Sequence, residues 1–390
     1  MIKNNITEIG TKCVGCFLCQ EKCPTHAINK KISIDGFEYP IIDSNKCIAC
    51  GICLKTCPVN IMDKKNYPIK TYLTLSKYKE ERNSSSGGLF FSLAKKFIEE
   101  MDGYVAGCVF KEKCKIEHIL TKNINDVYKM QGSKYIESSI DHLYERISEA
   151  LLKNKKVLFS GTPCQCAAMK KNFGKDNNFF CIDIVCHGVP SKYLWNIEVE
   201  NLQRKYNFDK LTFRYKDKYE KTGYYLSLFK NNTLIKRISY QEDGYYSLFM
   251  NSKSFRKSCY QCQFSSNTRI ADITMGDCNT WLDYNYFYPE KSLSIALINT
   301  PKGYELWEMI KSNMNFIELN YDKEKTNNKQ LSQSSSIEKR MSDEEMLKLL
   351  NKELSLDRYA VGLSNKDKFK SILKKIITVE TREKIRKLVK

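Results

Sequence analysis

The chain has 390 residues, a formal net charge of +19 at neutral pH, 42% hydrophobic and 28% charged residues, and 17 cysteines. Those fractions are ordinary for a folded globular protein of two or three domains, and no run of about 18 apolar residues offers a membrane-spanning helix. The start "MIKNNITEIG" lacks the apolar core of a signal peptide, so a cytoplasmic location is expected, where metal or redox chemistry suits the cysteines better than disulfides.

The chain opens on a duplicated pattern. "CVGCFLCQEKCP" supplies Cys13, Cys16, Cys19 and Cys23, and "CIACGICLKTCP" supplies Cys47, Cys50, Cys53 and Cys57. Both read C-x2-C-x2-C-x3-C-P. Three thiolates at this spacing wrap a loop around one cubane, and the fourth leaves for the other. On that rule Cys13, Cys16, Cys19 and Cys57 hold one 4Fe–4S cluster. Cys47, Cys50, Cys53 and Cys23 hold the second. A zinc ribbon pairs separated C-x2-C units and needs no third cysteine. A two-cluster domain is therefore expected over residues 1–68, built to conduct electrons. Between its halves, "KISIDGFEYPIID" predicts a hairpin turning at Asp35-Gly36.

Residues 62–75 are polar around Pro68 and read as a linker. A larger α/β domain is expected over 72–315, in two parts, 72–150 and 151–315. Ser84, Ser85, Ser86, Gly87 and Gly88 form a small-residue loop before a predicted helix with Leu89, Leu93, Phe97 and Ile98 on one side. Backbone N–H groups at such a loop suit a phosphate. A plain helix-start loop reads equally well from the same residues. "GYVAGCVF" reads as a strand, and "MQGSKYIESS" follows with Gly132, Ser133 and Lys134. "KKVLFSGTPCQCAAMKKNF" and "NFFCIDIVCHGVPSKYLW" each read strand, turn, helix. In such sheets ligands sit beyond the carboxyl ends of the strands. Cys164 and the Cys186-His187-Gly188 turn fall at that edge. A packed side chain, a nucleophile and a metal ligand all remain open for Cys164.

"SCYQCQF" then supplies Cys259 and Cys262, and "DITMGDCNTW" supplies Asp272, Gly276 and Asp277. "SLSIALINTPKGYELWEMI" reads as a strand and a helix. Residues 322–341 are rich in Asn, Ser and Lys and read as an exposed loop. Ser342 with Glu345 marks a helix start. Residues 366–390 carry +7, with Phe369, Ile372, Leu373 and Ile376 at helical spacing. That tail suits peripheral contact with an anionic membrane, a partner protein, or packing on its own domain. The remaining charge is scattered and no reading module accompanies it, so no nucleic-acid partner is expected.

Seven segments together resemble the coenzyme F-420 hydrogenase/dehydrogenase beta-subunit family. They are "SSSGG" (84–88), "GSKYIESS" (132–139), "LFSGTPCQ" (158–165), "IDIVCHGVPS" (182–191), "SCYQCQF" (258–264), "DITMGD" (272–277) and "ALINTPKG" (296–303). They run in family order over residues 70 to about 315, behind the ferredoxin-like module. Residues 316–390 match no family motif. The resemblance implies an α+β ferredoxin-like two-cluster N-terminal domain followed by a larger α/β flavin-binding domain, to which the helical basic C-terminal tail read from its own residues is added. It implies an iron–sulfur flavoprotein oxidoreductase with FAD and a third 4Fe–4S cluster. Its partners would be a redox protein, either a ferredoxin or a partner subunit, and a small organic acceptor. That acceptor would be deazaflavin-like or of unknown kind, with surface-polysaccharide metabolism as one setting.

Carried over by residue, Ser84 to Gly88, Gly132, Ser133, Lys134 and Thr162 fall near the flavin or its phosphates. Cys164, Cys186, Cys259 and Cys262 number the four that one cubane needs. Cys166, Cys181 or Cys278 could displace one of them, while Cys108 and Cys114 read as packed side chains. His187 and Asp183 are candidates to relay a proton, against structural roles for both. The chain departs from the family at Cys166, where an aliphatic residue is usual, and at Cys278-Asn279, where an aromatic pair often stands. The segment from Phe213-Arg214 runs on to Gly223-Tyr224, where relatives continue to Gly-Trp. Two other classes stay open: an electron-wiring subunit feeding a partner enzyme, and a scaffold that has lost its flavin.

Overall fold

Asp35 and Gly36 do turn the first hairpin. The computed structural model describes residues 5–217, 223–280, 292–365, 377–378 and 381. In it α1 (Leu18–Glu21) precedes β1 (Ile28–Ile32), which pairs antiparallel with β2 (Glu38–Ile42), and α2 (Ile52–Thr56) follows. Gly36 has φ +72°, a region that favours glycine. A Cβ there would also come within 2.9 Å of Leu350 and 3.0 Å of the Ser191 hydroxyl. The turn is therefore pressed against the larger domain, and Ser191 donates a hydrogen bond to its carbonyl.

The chain continues through β3 (Lys70–Ser76), α3 (Leu89–Met101), β4 (Tyr104–Phe110), β5 (Ile116–Thr121), α4 (Ile124–Met130), α5 (Leu143–Leu152), β6 (Val157–Gly161), α6 (Pro163–Phe173), β7 (Phe179–Ile184) and α7 (Lys192–Lys205). A small antiparallel sheet then interrupts, made of β8 (Lys210–Phe213), β9 (Tyr225–Lys230) and β10 (Thr233–Ser239), and α8 (Gly244–Met250) closes it. Last come β11 (Ile273–Asp277), β12 (Ser294–Ile298), α9 (Pro301–Lys311), β13 (Met314–Glu318), α10 (Tyr321–Asn327) and α11 (Asp343–Leu350).

The main sheet orders its strands β13-β3-β12-β11-β7-β6-β4-β5. Its centre, β11-β7-β6-β4, is parallel, as the strand–turn–helix units predict. Leu158, Phe159, Phe180 and Ile182 are essentially fully buried on it, each worth about 1.5–3 kcal/mol. Helix α6 starts where Pro163 permits it, and Thr162 and Gln165 cap it reciprocally.

Two expectations need correction. Residues 70–75 are not linker: they belong to β3, flanked by β12 and β13. The stretch 322–341 is not simply an exposed loop either. It contains most of α10, and Glu324, Leu331 and Met341 are buried. The expected helix over the basic tail, with Phe369, Ile372, Leu373 and Ile376, lies outside the described residues. Among the described residues no helix is long and apolar enough to cross a membrane.

Beneath the small sheet lies a buried carboxyl pair, Glu198 on α7 and Asp243 capping α8. Burial and the Asp243 charge push the Glu198 carboxyl well above its usual range, and it shares its proton with Asp243. A folded-state pKa raised in this way stabilises the fold below the unfolded value, about 4.3, and that stability is lost as pH rises toward the folded value. Glu198→Gln keeps a donor for Asp243 and removes the titration. Unfolding free energies from denaturant titrations at pH 4.5 and upward should fall with pH in the parent, by up to about 1.4 kcal/mol per unit, and less steeply in the variant.

Candidate functional site

Cys13, Cys16 and Cys19 of the first motif and Cys57 of the second line one cavity, closed by apolar walls that include Ile6, Val14 and Val59. The space between their side chains is about 310 Å3 when the part open to solvent is included. Cys57 of the second motif thus lines the same space as the first three cysteines, while it also packs with Cys53 of its own motif. Burial, and then the neighbouring sulfurs, push the Cys16 and Cys19 thiols far up. Burial raises Cys13 and Cys57 as well, partly offset by Arg256 at Cys13 and by the Asn60 and Val59 amides at Cys57.

Four such sulfurs around one apolar space are costly as thiolates unless a cation binds them. Backbone N–H groups from Gly15 and Leu18 also reach Cys13 and Cys16. Such hydrogen bonds tune a bound iron–sulfur centre. The donor set therefore fits a cluster.

The second set is more open. Cys50 is exposed and Cys47, Cys53 and Cys23 are half-buried. At Cys23 burial is outweighed by donors on the sulfur, including the Ala27 amide at 3.3 Å, and the pKa falls.

A third group forms at the carboxyl ends of the parallel strands. Cys164 begins α6, Cys186 follows β7, and Cys259 and Cys262 come from a short 3-10 turn at Lys257–Gln261. The two loops are clamped together. Gly188 has φ +135° and lies under the Phe255 ring, where a Cβ would come to 2.3 Å. The Arg256 amide donates to the Val189 carbonyl at 3.1 Å. Burial raises Cys164 to about 11 and lifts Cys186 and Cys259 further, and next in order the sulfurs of the same group act on one another. Thr162 lies against this set, with its hydroxyl 3.2 Å from the Cys164 sulfur.

Three other thiols stand apart. Cys166 donates to the Ile182 carbonyl at 3.3 Å and pairs with Cys181 in the core. Cys278 is buried 3.4 Å from the Thr280 hydroxyl and close to Glu324. Cys114 is buried and Cys108 half-buried. Among the described residues no three His, Cys, Asp or Glu side chains close around a single metal ion. The ligands of a cubane stand at its corners, wider apart than those of one ion.

The small-residue loop and the Gly-Ser-Lys segment meet. Ser85 Oγ accepts from the Ser133 amide at 2.7 Å and lies 2.8 Å from its hydroxyl. Ser84 Oγ accepts from Gln131, and Ser86 lies 2.8 Å from Ser294. Gly87 packs onto β3 and β12, where a Cβ would meet the Thr74 carbonyl, and Gly88 is the αL residue that starts α3. Gly132 has φ +81° with no atom closer than 3.8 Å to a built Cβ. Lys134 does not point at open space: its ammonium donates to the Met130, Gln131 and Gly132 carbonyls, and burial lowers its pKa to about 8.

His187 is exposed at the strand ends, near Asp277 and Arg214, which pair with each other at 2.7 Å. Lys216 pairs with Glu81 and donates to the Ser86 carbonyl at 2.6 Å. Asp183 lies beneath this edge, fully buried against Arg269 at 3.1 Å. Arg256, Lys216 and Glu81 carry no motif. None of the three was singled out in the sequence, although Arg256 stands three residues before Cys259.

Residues 12–61 match the 4Fe-4S dicluster domain, so the first module is a two-cluster iron–sulfur domain ahead of a large mixed α/β domain. Residues 154–324 match the family described as the C terminus of the coenzyme F420 hydrogenase/dehydrogenase beta subunit. The family resemblance thus holds, with five of the seven segments (158–165, 182–191, 258–264, 272–277 and 296–303) inside the match, which runs past residue 315 into α10. A chain in a xenon-derivatised structure of the F420-reducing [NiFe] hydrogenase complex from Methanosarcina barkeri is similar at 17% identity and a TM-score of 0.47, over 69% of this chain and 93% of that one. No curated protein matches the chain.

Proposed function

We propose that the chain is an oxidoreductase that passes electrons between a redox protein, three 4Fe–4S clusters and FAD, and reduces or oxidises a small organic acceptor. The observation that carries this reading is the adjacency of the cavity thiols to the third thiol group. Cys16 packs in the same buried cluster as Cys164 and Cys262, and the Cys16 and Cys164 sulfurs act on each other electrostatically. The Cys47 group supports an outer cluster, the Cys13 group an inner one, and Cys164, Cys186, Cys259 and Cys262 a third at the sheet edge. FAD when bound would supply the two-electron chemistry.

The chain's own residues orient that chemistry. The joined Ser84–Gly88 and Gly132–Ser133 segments form a half-buried ledge for the flavin, with the open face of Gly132 allowing close approach. Lys216, neutralised by Glu81, braces the same loop by donating to the Ser86 carbonyl. Thr162 holds the start of α6 and with it Cys164. His187, exposed at this edge, is placed to hand a proton at its ring nitrogens. Lys134 and Asp183 serve as supports under the site.

Anaerobic purification tests the reading. About 12 irons per chain, from three four-iron clusters, and one flavin are expected. Finding about eight irons and no flavin would favour the wiring subunit, whose chemistry lies in a partner. Turnover of an acceptor by the isolated chain separates these two outcomes further.

A further inference from the structure

Arg256 is 1% exposed and lies between the two inner thiol groups. Its Nη1 donates to the Glu38 carbonyl at 3.1 Å, and its Nη2 pairs with the Glu137 carboxylate. Its guanidinium carbon sits 4.7 Å from the centre of the Phe37 ring and 4.9 Å from that of Tyr39. The same group presses on Gly15, where a built Cβ would come within 2.6 Å of Nη2. Gly15 lies between Cys13 and Cys16. On the other side, the Arg256 carbonyl accepts from the Cys259 amide at 2.9 Å. The side chain is thus a cation from the α/β domain inserted into the two-cluster domain.

A guanidinium stays charged at any working pH. Its buried Nε–H has no acceptor among the described residues, so one donor remains unspent in a site crowded with sulfur. Arg256 favours negative charge at Cys13 and also at Cys164. Glu137 opposes it at Cys13 and falls behind it there.

We propose that Arg256 is a positioning residue that sets the potentials of the centres on both sides of it, stabilising their reduced forms, with Glu137 as the opposing charge. This rests on the functional reading above, since a third centre must exist for its second arm. The physical reason is general: burial lowers the local dielectric, so one fixed charge acts strongly on any group gaining an electron nearby.

The test is an EPR-monitored potentiometric titration of anaerobically purified full-length parent, Arg256→Gln, Arg256→Lys and Glu137→Gln, after iron counting. Arg256→Gln should move the Cys13-group and Cys164-group midpoints to more negative values. Glu137→Gln should move the Cys13-group midpoint the opposite way. Arg256→Lys should restore most of the shift, although it loses the planar fork. Unmoved midpoints in Arg256→Gln at unchanged iron, or shifts of the same sign in both glutamine variants, would overturn the proposal. If Arg256→Gln does not fold, Glu137→Gln decides alone, and an unmoved midpoint refutes it. A parent lacking the third signal would fail the functional reading while leaving the Cys13-group arm decisive.

Discussion

Replacing Cys164 by alanine is expected to reduce the iron content from about 12 to about eight per chain and to leave the two-cluster signals in place. The reason is geometric. Cys164 has the Cys262 and Cys186 sulfurs as neighbours, and its own sulfur acts on Cys186 and Cys259. Removing one of its four thiolates is expected to keep the third cluster from assembling stably, so that its iron is lost. The control lies two residues away. Cys166 shares the helix and the residue type, but it faces the core and bonds the Ile182 carbonyl. Cys166→Ala should keep all the iron and lower stability by about 1 kcal/mol. Iron analysis, EPR and thermal melts read both variants. The reverse result, iron lost in Cys166→Ala and kept in Cys164→Ala, would reassign the ligand to the core thiol.

That contrast shows what local sequence can say. The strand–turn–helix pattern around "FSGTPCQC" places Cys164 at a sheet edge, because Pro163 and the Thr162–Gln165 cap fix where α6 begins. Helical rotation then separates Cys164 from Cys166, so one thiol reaches the loop cluster and the other the core. The eight N-terminal cysteines were readable for the same reason: their spacing is itself the geometry. β3 was not readable. Its residues follow Pro68 and a polar stretch, and what makes them a strand is pairing with β12 and β13, more than 200 residues away. Glu324 was hidden likewise. It is one acidic residue in an Asn- and Lys-rich stretch, yet it accepts from the Asn279 and Thr280 amides and anchors the end of β11. The tether of Lys134 to three carbonyls is local, but its ammonium read equally well as an anion contact until the backbone path was known.

Asp183 poses a sharper question, since it stands at the end of β7 just before Cys186 and His187. Its Oδ2 accepts from Arg269, and both side chains are at most 1% exposed. Arg269 also donates to Thr274 at 3.0 Å and to the Phe264 carbonyl at 3.3 Å, and its backbone bridges Asn66. The pair therefore ties β7 and β11 to the segment that leads in from the two-cluster domain. Burial raises the Asp183 pKa and Arg269 draws it back down. Asp183→Asn leaves a buried guanidinium without its counter-charge, an uncompensated loss of about 3–5 kcal/mol. The double variant Asp183→Asn, Arg269→Gln removes both charges and should cost less than the sum of the singles. Guanidinium titrations of the four proteins in the cycle measure this directly. A proton relay at Asp183 predicts something else: stability near the parent, with electron transfer to the acceptor slowed and its pH profile moved. The burial of the pair, and the distance in sequence over which it holds the sheet, argue for the structural outcome.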